Sequence, residues 1–116
     1  MFAFMLILSL AQSAPSAGEK VTPLKPRTNP GSWFPQDSYP KQASDEHAAG
    51  HVSIELDVDA TGKPTACRVT VSSGFASLDD HTCRIAMKNG RYTPKRVNGL
   101  AVPTKTFIRN VIWRQP

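Results

Sequence analysis

The groups able to act as acids, bases or ligands are few in this chain and widely spread. His47, His51 and His81, with Asp79 and Asp80, are what a general acid–base or metal site would draw on. His81 follows the two aspartates in what reads as the first turn of a helix, while His47 and His51 flank the start of an alternating segment. The positive end of a helix dipole accounts for the aspartates, and the histidines are expected at the solvent surface. Cys67 and Cys83 offer sulfur ligands, but no His pair stands beside them to complete a tetrahedral zinc site. There is no Gly-rich phosphate loop, no CxxC and no nucleophile–base motif. An enzyme is not expected, nor a metal or cofactor.

The two cysteines fit better with an exported protein. Residues 1–18 carry no charged side chain and open with the apolar run FAFMLILSLA, followed by small residues at Ser9, Ala11, Ser13 and Ala14. An apolar core followed by a small-x-small site is the pattern of a secretory signal, with cleavage expected after Ala11 or Ser13. Left uncut, the segment would tether the chain at the inner membrane. It is too short for a stable span of its own, which needs ~20 apolar residues. In an oxidising compartment Cys67 and Cys83 are expected to pair. Closing a loop of about 15 residues stabilises a fold by roughly 3 kcal/mol.

The chain has 116 residues, enough for one small globular domain. Residues 19–34 are expected to form a Pro-rich arm and 35–116 the domain. The arm belongs to a longer stretch, residues 15–40, that holds Pro15, Pro23, Pro26, Pro30, Pro35 and Pro40. Such a stretch favours extended conformation; about twenty residues at ~3.1 Å each reach ~60 Å, a short tether. Trp33, Phe34 and Tyr39 are too apolar for a free linker and are expected to pack on the domain.

Within the domain the periods are legible. Ala43–Ala49 suggests a short helix stopped by Gly50. Val52, Ile54, Leu56 and Val58 alternate with polar residues, the pattern of a half-buried antiparallel strand. A turn at Ala60–Lys63, with Gly62 supplying a positive φ, leads to a second strand over Thr65–Ser72, with Cys67, Val69 and Val71 facing in. Ser77 and Asp80 suggest a capping box, Leu78, Thr82, Ile85 and Ala86 one apolar helix face, and Gly90 a C-cap. Cys83 flanks that face, so the disulfide would pin helix to sheet.

Asn98-Gly99 marks a turn, and TKTFIRNVIW (104–113) a final strand rich in β-branched and aromatic residues. Phe107, Val111 and Trp113 are expected on one face, Ile108 and Ile112 on the other. A strand apolar on both faces is either central and covered twice or awaits a partner, and so small a domain has little to cover it with. Charge adds an asymmetry. The chain has Lys+Arg 14 against Asp+Glu 9, net +5, and no acidic residue follows Asp80. An exported protein seldom meets nucleic acid, so none is expected as a partner.

The order of these pieces resembles a known family. Tyr39-Pro40, Gly50-His51-Val52, LDVDATGKP (56–64), VTVSSGFASLD (69–79), RYTP (91–94) and NGLAV (98–102) together are similar to the TonB C-terminal domain, over residues 35–115. The resemblance implies an α+β fold, a small antiparallel sheet (hairpin plus C-terminal strand) packed on two helices. It also implies a periplasmic role: gripping the TonB box of an outer-membrane receptor as an added strand and supporting energy-dependent transport across the outer membrane. The docking strand here would comprise Lys105, Thr106, Phe107, Ile108, Arg109, Asn110, Val111, Ile112 and Trp113. Ser38, Tyr39 and Pro40 stand where the family has Gln-Tyr-Pro. Lys105 and Arg109 would favour an acidic box. The family's membrane anchor and long spacer have no counterpart in the apolar segment and short arm. The alternative is therefore an envelope adaptor, or a domain that self-associates as a homodimer through the same strand, without energy transduction.

Overall fold

The alternating run that opens the domain becomes the middle of its sheet. The structure, a computed structural model, describes residues 18–115 of the chain. The expected signal segment therefore lies, but for Gly18, outside the described residues. Two short strands come first, β1 (Val21–Thr22) and β2 (Lys25–Pro26). Two 3-10 turns (Pro30–Trp33 and Gln36–Ser38) and a helix α1 (Lys41–Asp45) follow. The body of the domain is β3 (Gly50–Val58), β4 (Pro64–Val71) and α2 (Ala76–Asn89). It closes with β5 (Tyr92–Thr93), β6 (Lys95–Val97), β7 (Leu100–Val102) and β8 (Thr104–Trp113).

The main sheet has the order β4-β3-β8, antiparallel throughout. Val52, Ile54, Leu56 and Val58 are buried to within 1% and meet Leu78, Ile85 and Ala86 of α2 in one core. The fold is α+β, as expected. Cys67 of β4 and Cys83 of α2 form a disulfide, Cα to Cα 5.7 Å, which pins helix to sheet as their positions suggested. Gly62 has φ 90°, and a β-carbon there would collide with the carbonyl oxygen of Tyr92. Its own carbonyl accepts the Tyr92 N–H at 2.9 Å, so the β3–β4 turn is stitched to β5.

Several expectations are corrected. The first helix covers 41–45 rather than 43–49. Pro40 occupies its N-cap, and His47, at φ 53°, turns the chain so that Gly50 joins β3. No capping box starts α2: its N-cap is Phe75, and the Ser77 hydroxyl donates instead to Glu46. Asp79 reaches back to accept from the Ser72 hydroxyl and from the N–H and hydroxyl of Ser73. Gly90 does follow the helix, but in extended conformation. A β-carbon would meet the Ala86 carbonyl at 2.6 Å and the Trp33 ring at 3.4 Å, so space rather than a left-handed φ calls for glycine. On β4, Val69 and Val71 are exposed rather than packed inward. Thr70 bulges out of register with β3, placing Val71 opposite Ser53, and β4 is an edge strand.

The arm is no free tether from Lys20 onward. Val21 and Thr22 pair with Val97 and Arg96, and Lys25 and Pro26 with Thr93 and Tyr92. The β6–β7 hairpin turns at Asn98 (φ 53°) and Gly99 (φ 84°), and Asn98 exchanges hydrogen bonds with Lys20 through both backbone and side chain. Trp33 packs edge-on to Tyr92, and it and Phe34 are buried, as their apolarity required. The ~60 Å reach of a fully extended segment is therefore not available to these residues.

Candidate docking edge

β8 pairs with a strand on one side only, among the described residues. Its partner is β3, and among the described residues no strand lies along its other edge. A row of backbone donors and acceptors left open in this way is a template for another chain. Two devices shape the edge here.

The first is a bulge. Val52 faces Val111 and Ile54 faces Ile108, so Arg109 and Asn110 together oppose Ser53. Asn110 takes φ 59°, a region that Asn tolerates better than most residues, and its N–H donates to the Ser53 hydroxyl at 3.0 Å. The extra residue changes the side on which later side chains fall. Ile108, Val111 and Trp113 face the core, while Phe107 and Ile112 are 47% and 48% exposed. This corrects the expected grouping of Phe107 with Val111 and Trp113, because strict alternation does not survive the extra residue at the bulge.

The second is a groove of about 550 Å³ beside the bulge. One wall is Ile108–Ile112 of β8; the other is Asn29, Pro30, Gly31, Phe34 and Gln36. Of these five only Phe34 carries a packing signal in the sequence; nothing there marks Asn29, Pro30, Gly31 or Gln36 as groove residues. The apolar pair Trp33-Phe34 signalled packing, but no local period says against which strand it packs.

The Gln36 carboxamide, which lines the groove, makes two backbone bonds, one to β8 and one to the residue just after it. Its Nε2 donates to the Ile112 carbonyl at 2.7 Å, and its Oε1 accepts from the Arg114 N–H at 3.1 Å. Both backbone groups therefore point to the open edge, and by alternation those of Val111 and Trp113 point to β3.

The other expected site residues fall into separate roles. Trp113 is buried in the core, its indole N–H donating to Thr82 at 2.8 Å. Tyr39 stacks edge-on against Trp113 at 5.9 Å between ring centres, and burial raises its hydroxyl pKa. Ser38 donates to the Pro35 carbonyl and so accepts from Nε2 of His81 at 3.2 Å. Tyr39 thus braces the end of β8, Ser38 holds His81 beside it and Pro40 caps α1; none of the three lines the groove. His81, expected at the surface, is 9% exposed and lies 5.3 Å from the Trp113 ring. Burial, aided by the nearby Arg84 charge, pushes its pKa down against the opposing effect of Ser38.

Charge on the outer face of the sheet is paired across strands. Arg68 of β4 bonds both Glu55 and Asp57 of β3, and Lys105 of β8 bonds Asp57 at 2.8 Å. Arg68 and Lys105 hold the Asp57 carboxyl well below the usual carboxylate range. Lys105 is thus engaged at home, next to Thr106, upstream of the groove. Arg109 lies over the Phe107 ring at 4.5 Å and, among the described residues, is the one cation that lines the groove.

Among the described residues, no three His, Cys, Asp or Glu side chains converge as a metal site would need, and no helix is long and apolar enough to cross a membrane. No curated protein matches the chain. A family model described as the Gram-negative bacterial TonB protein C-terminal matches residues 35–114, which takes in the Gln36 turn, both helices and all of the main sheet. The match covers most of the chain and agrees with its α+β fold, so the protein belongs to the TonB C-terminal family, whose domains serve transport and protein interaction in the Gram-negative envelope.

Proposed function

We propose that this is a periplasmic TonB-like protein that binds the TonB box of an outer-membrane transporter by strand addition along β8, in support of energy-dependent transport. The observation that carries this reading is the open edge of β8 running beside a groove of about 550 Å³. An extended peptide added there would gain affinity from backbone bonds to the edge and selectivity from side chains entering the groove. Phe34, Ile108 and Val111 give the groove apolar surface, and Arg109 gives it one positive charge, suited to a peptide with an apolar residue near an acidic one.

The test is an amide NMR titration of the oxidised domain with TonB-box peptides from the same organism's receptors, repeated on Ile112→Pro. Ile112 is exposed and its backbone groups face the open edge, so proline there removes one edge donor while leaving the bonds to β3 in place. Saturable shifts along Ile108–Ile112 and Asn29–Gly31, weakened in the variant, support docking. Shifts that instead grow with protein concentration, without peptide, would favour self-association through the same edge.

A further inference from the structure

On the reading that a strand docks at β8, we propose that Gln36 is the stop that sets the register and length of the docked strand. Between Ile112 and Arg114 a parallel neighbour would place one residue, donating to the first carbonyl and accepting from the second N–H. The Gln36 carboxamide already fills both roles, at 2.7 and 3.1 Å. It is a side-chain imitation of one ladder rung.

The stop is built from the chain's own order. Gln36 opens the 3-10 turn Gln36–Ser38, with Pro35 as its N-cap. Just before it, Trp33 and Phe34 are buried, and the Asn89 side chain holds the Trp33 carbonyl at 2.8 Å. Just after it, Ser38 is tied to Pro35 and His81. A side chain carried on backbone fixed at both ends loses little freedom in making its two bonds, so it competes well with a mobile peptide. The incoming strand is left with the edge upstream of Arg114, beside the groove at Ile108–Ile112. Where pairing must end, the peptide residue that meets the groove is decided. Backbone bonds alone do not choose between registers, yet a slip of one residue exchanges the faces of every side chain, so a fixed end point decides which side chains reach the groove.

The experiment compares wild type, Gln36→Ala and Gln36→Glu, using a synthetic TonB-box peptide lengthened stepwise at either end. Affinity and amide hydrogen exchange at Arg114 are both read. In wild type the Arg114 amide is protected without peptide and unchanged by it, and affinity stops rising once the strand reaches Ile112. In Gln36→Ala that amide exchanges freely until a longer peptide protects it, and the longer peptide binds about tenfold tighter than the short one, as one added rung would give. Gln36→Glu keeps an acceptor for Arg114 but loses the donor to Ile112, and falls between. The same length dependence in all three variants overturns the stop while leaving docking intact. So does loss of Arg114 protection when peptide binds wild type. Peptide binding to none of them overturns the docking reading itself, and the stop with it.

Discussion

The indole nitrogen of Trp113 lies 2.8 Å from the hydroxyl of Thr82, and that hydroxyl in turn donates to the Leu78 carbonyl at 2.7 Å. The last residue of the edge strand is thereby fastened to the middle of the helix on the opposite side of the core.

Thr82→Val is the direct check on that link. Valine has nearly the shape of threonine but leaves the Trp113 N–H, buried at 1% exposure, without a partner. An unpaired buried donor costs about 1–3 kcal/mol. Denaturant unfolding should show a loss of that size with an unchanged slope. A variant as stable as wild type would show that the bond contributes nothing beyond what water gives the unfolded chain.

Reduction of Cys67–Cys83 should cost about 3 kcal/mol on the chain-entropy account of a loop this size. For a domain of this size each kcal/mol moves Tm by ~4–8 °C, so the reduced protein should melt more than ten degrees lower. The paired mutant Cys67→Ala/Cys83→Ala should match the reduced wild type. An unchanged melt in both would mean that the reduced chain keeps the helix on the sheet by packing alone.

Gly62→Ala should destabilise the fold and move β5. The residue sits at φ 90° with the Tyr92 carbonyl where a β-carbon would be, and it holds the Tyr92 N–H at 2.9 Å. Backbone conformation of this kind costs ~1 kcal/mol or more for alanine, and displacing Tyr92 adds to it. Tyr92 is buried at 3% and packs on Trp33. Intrinsic fluorescence and Tm should therefore change together; a change in neither would show that the turn can shift without disturbing β5.

What the sequence made legible was local. The alternation in Val52–Val58, the 3.6-residue face of Leu78, Thr82, Ile85 and Ala86, and the Gly62 and Asn98-Gly99 turns all depend on neighbours a few residues away, and each lies where expected. The faces of β8 were not legible, because one residue at Asn110 reverses the alternation and the only hint was an Asn inside a strand. His81 looked like an exposed residue because nothing near it in sequence shows that Trp113 and Ser38 cover it. The groove depends wholly on long-range folding: the Pro-rich segment that reads as a tether lies down beside a strand some eighty residues later, and Gln36 meets Ile112 across a separation of 76.

His81 should also make stability sensitive to mild acid. Its folded pKa lies below the ordinary 6.5, chiefly through burial, so the folded state favours the neutral ring and the unfolded chain binds the proton more readily. Stability from this group is present in full above pH 6.5 and declines as pH falls from there toward the folded pKa. Asp57 acts in a separate window: its depressed pKa contributes stability above 3.8 that is lost only in stronger acid. His81→Gln keeps a donor for Ser38 and removes the titrating ring. Unfolding free energy measured between pH 7.5 and about 5 should fall for wild type and stay flatter for the variant. Parallel curves would assign the acid sensitivity to other groups and leave His81 as a packing residue behind Trp113.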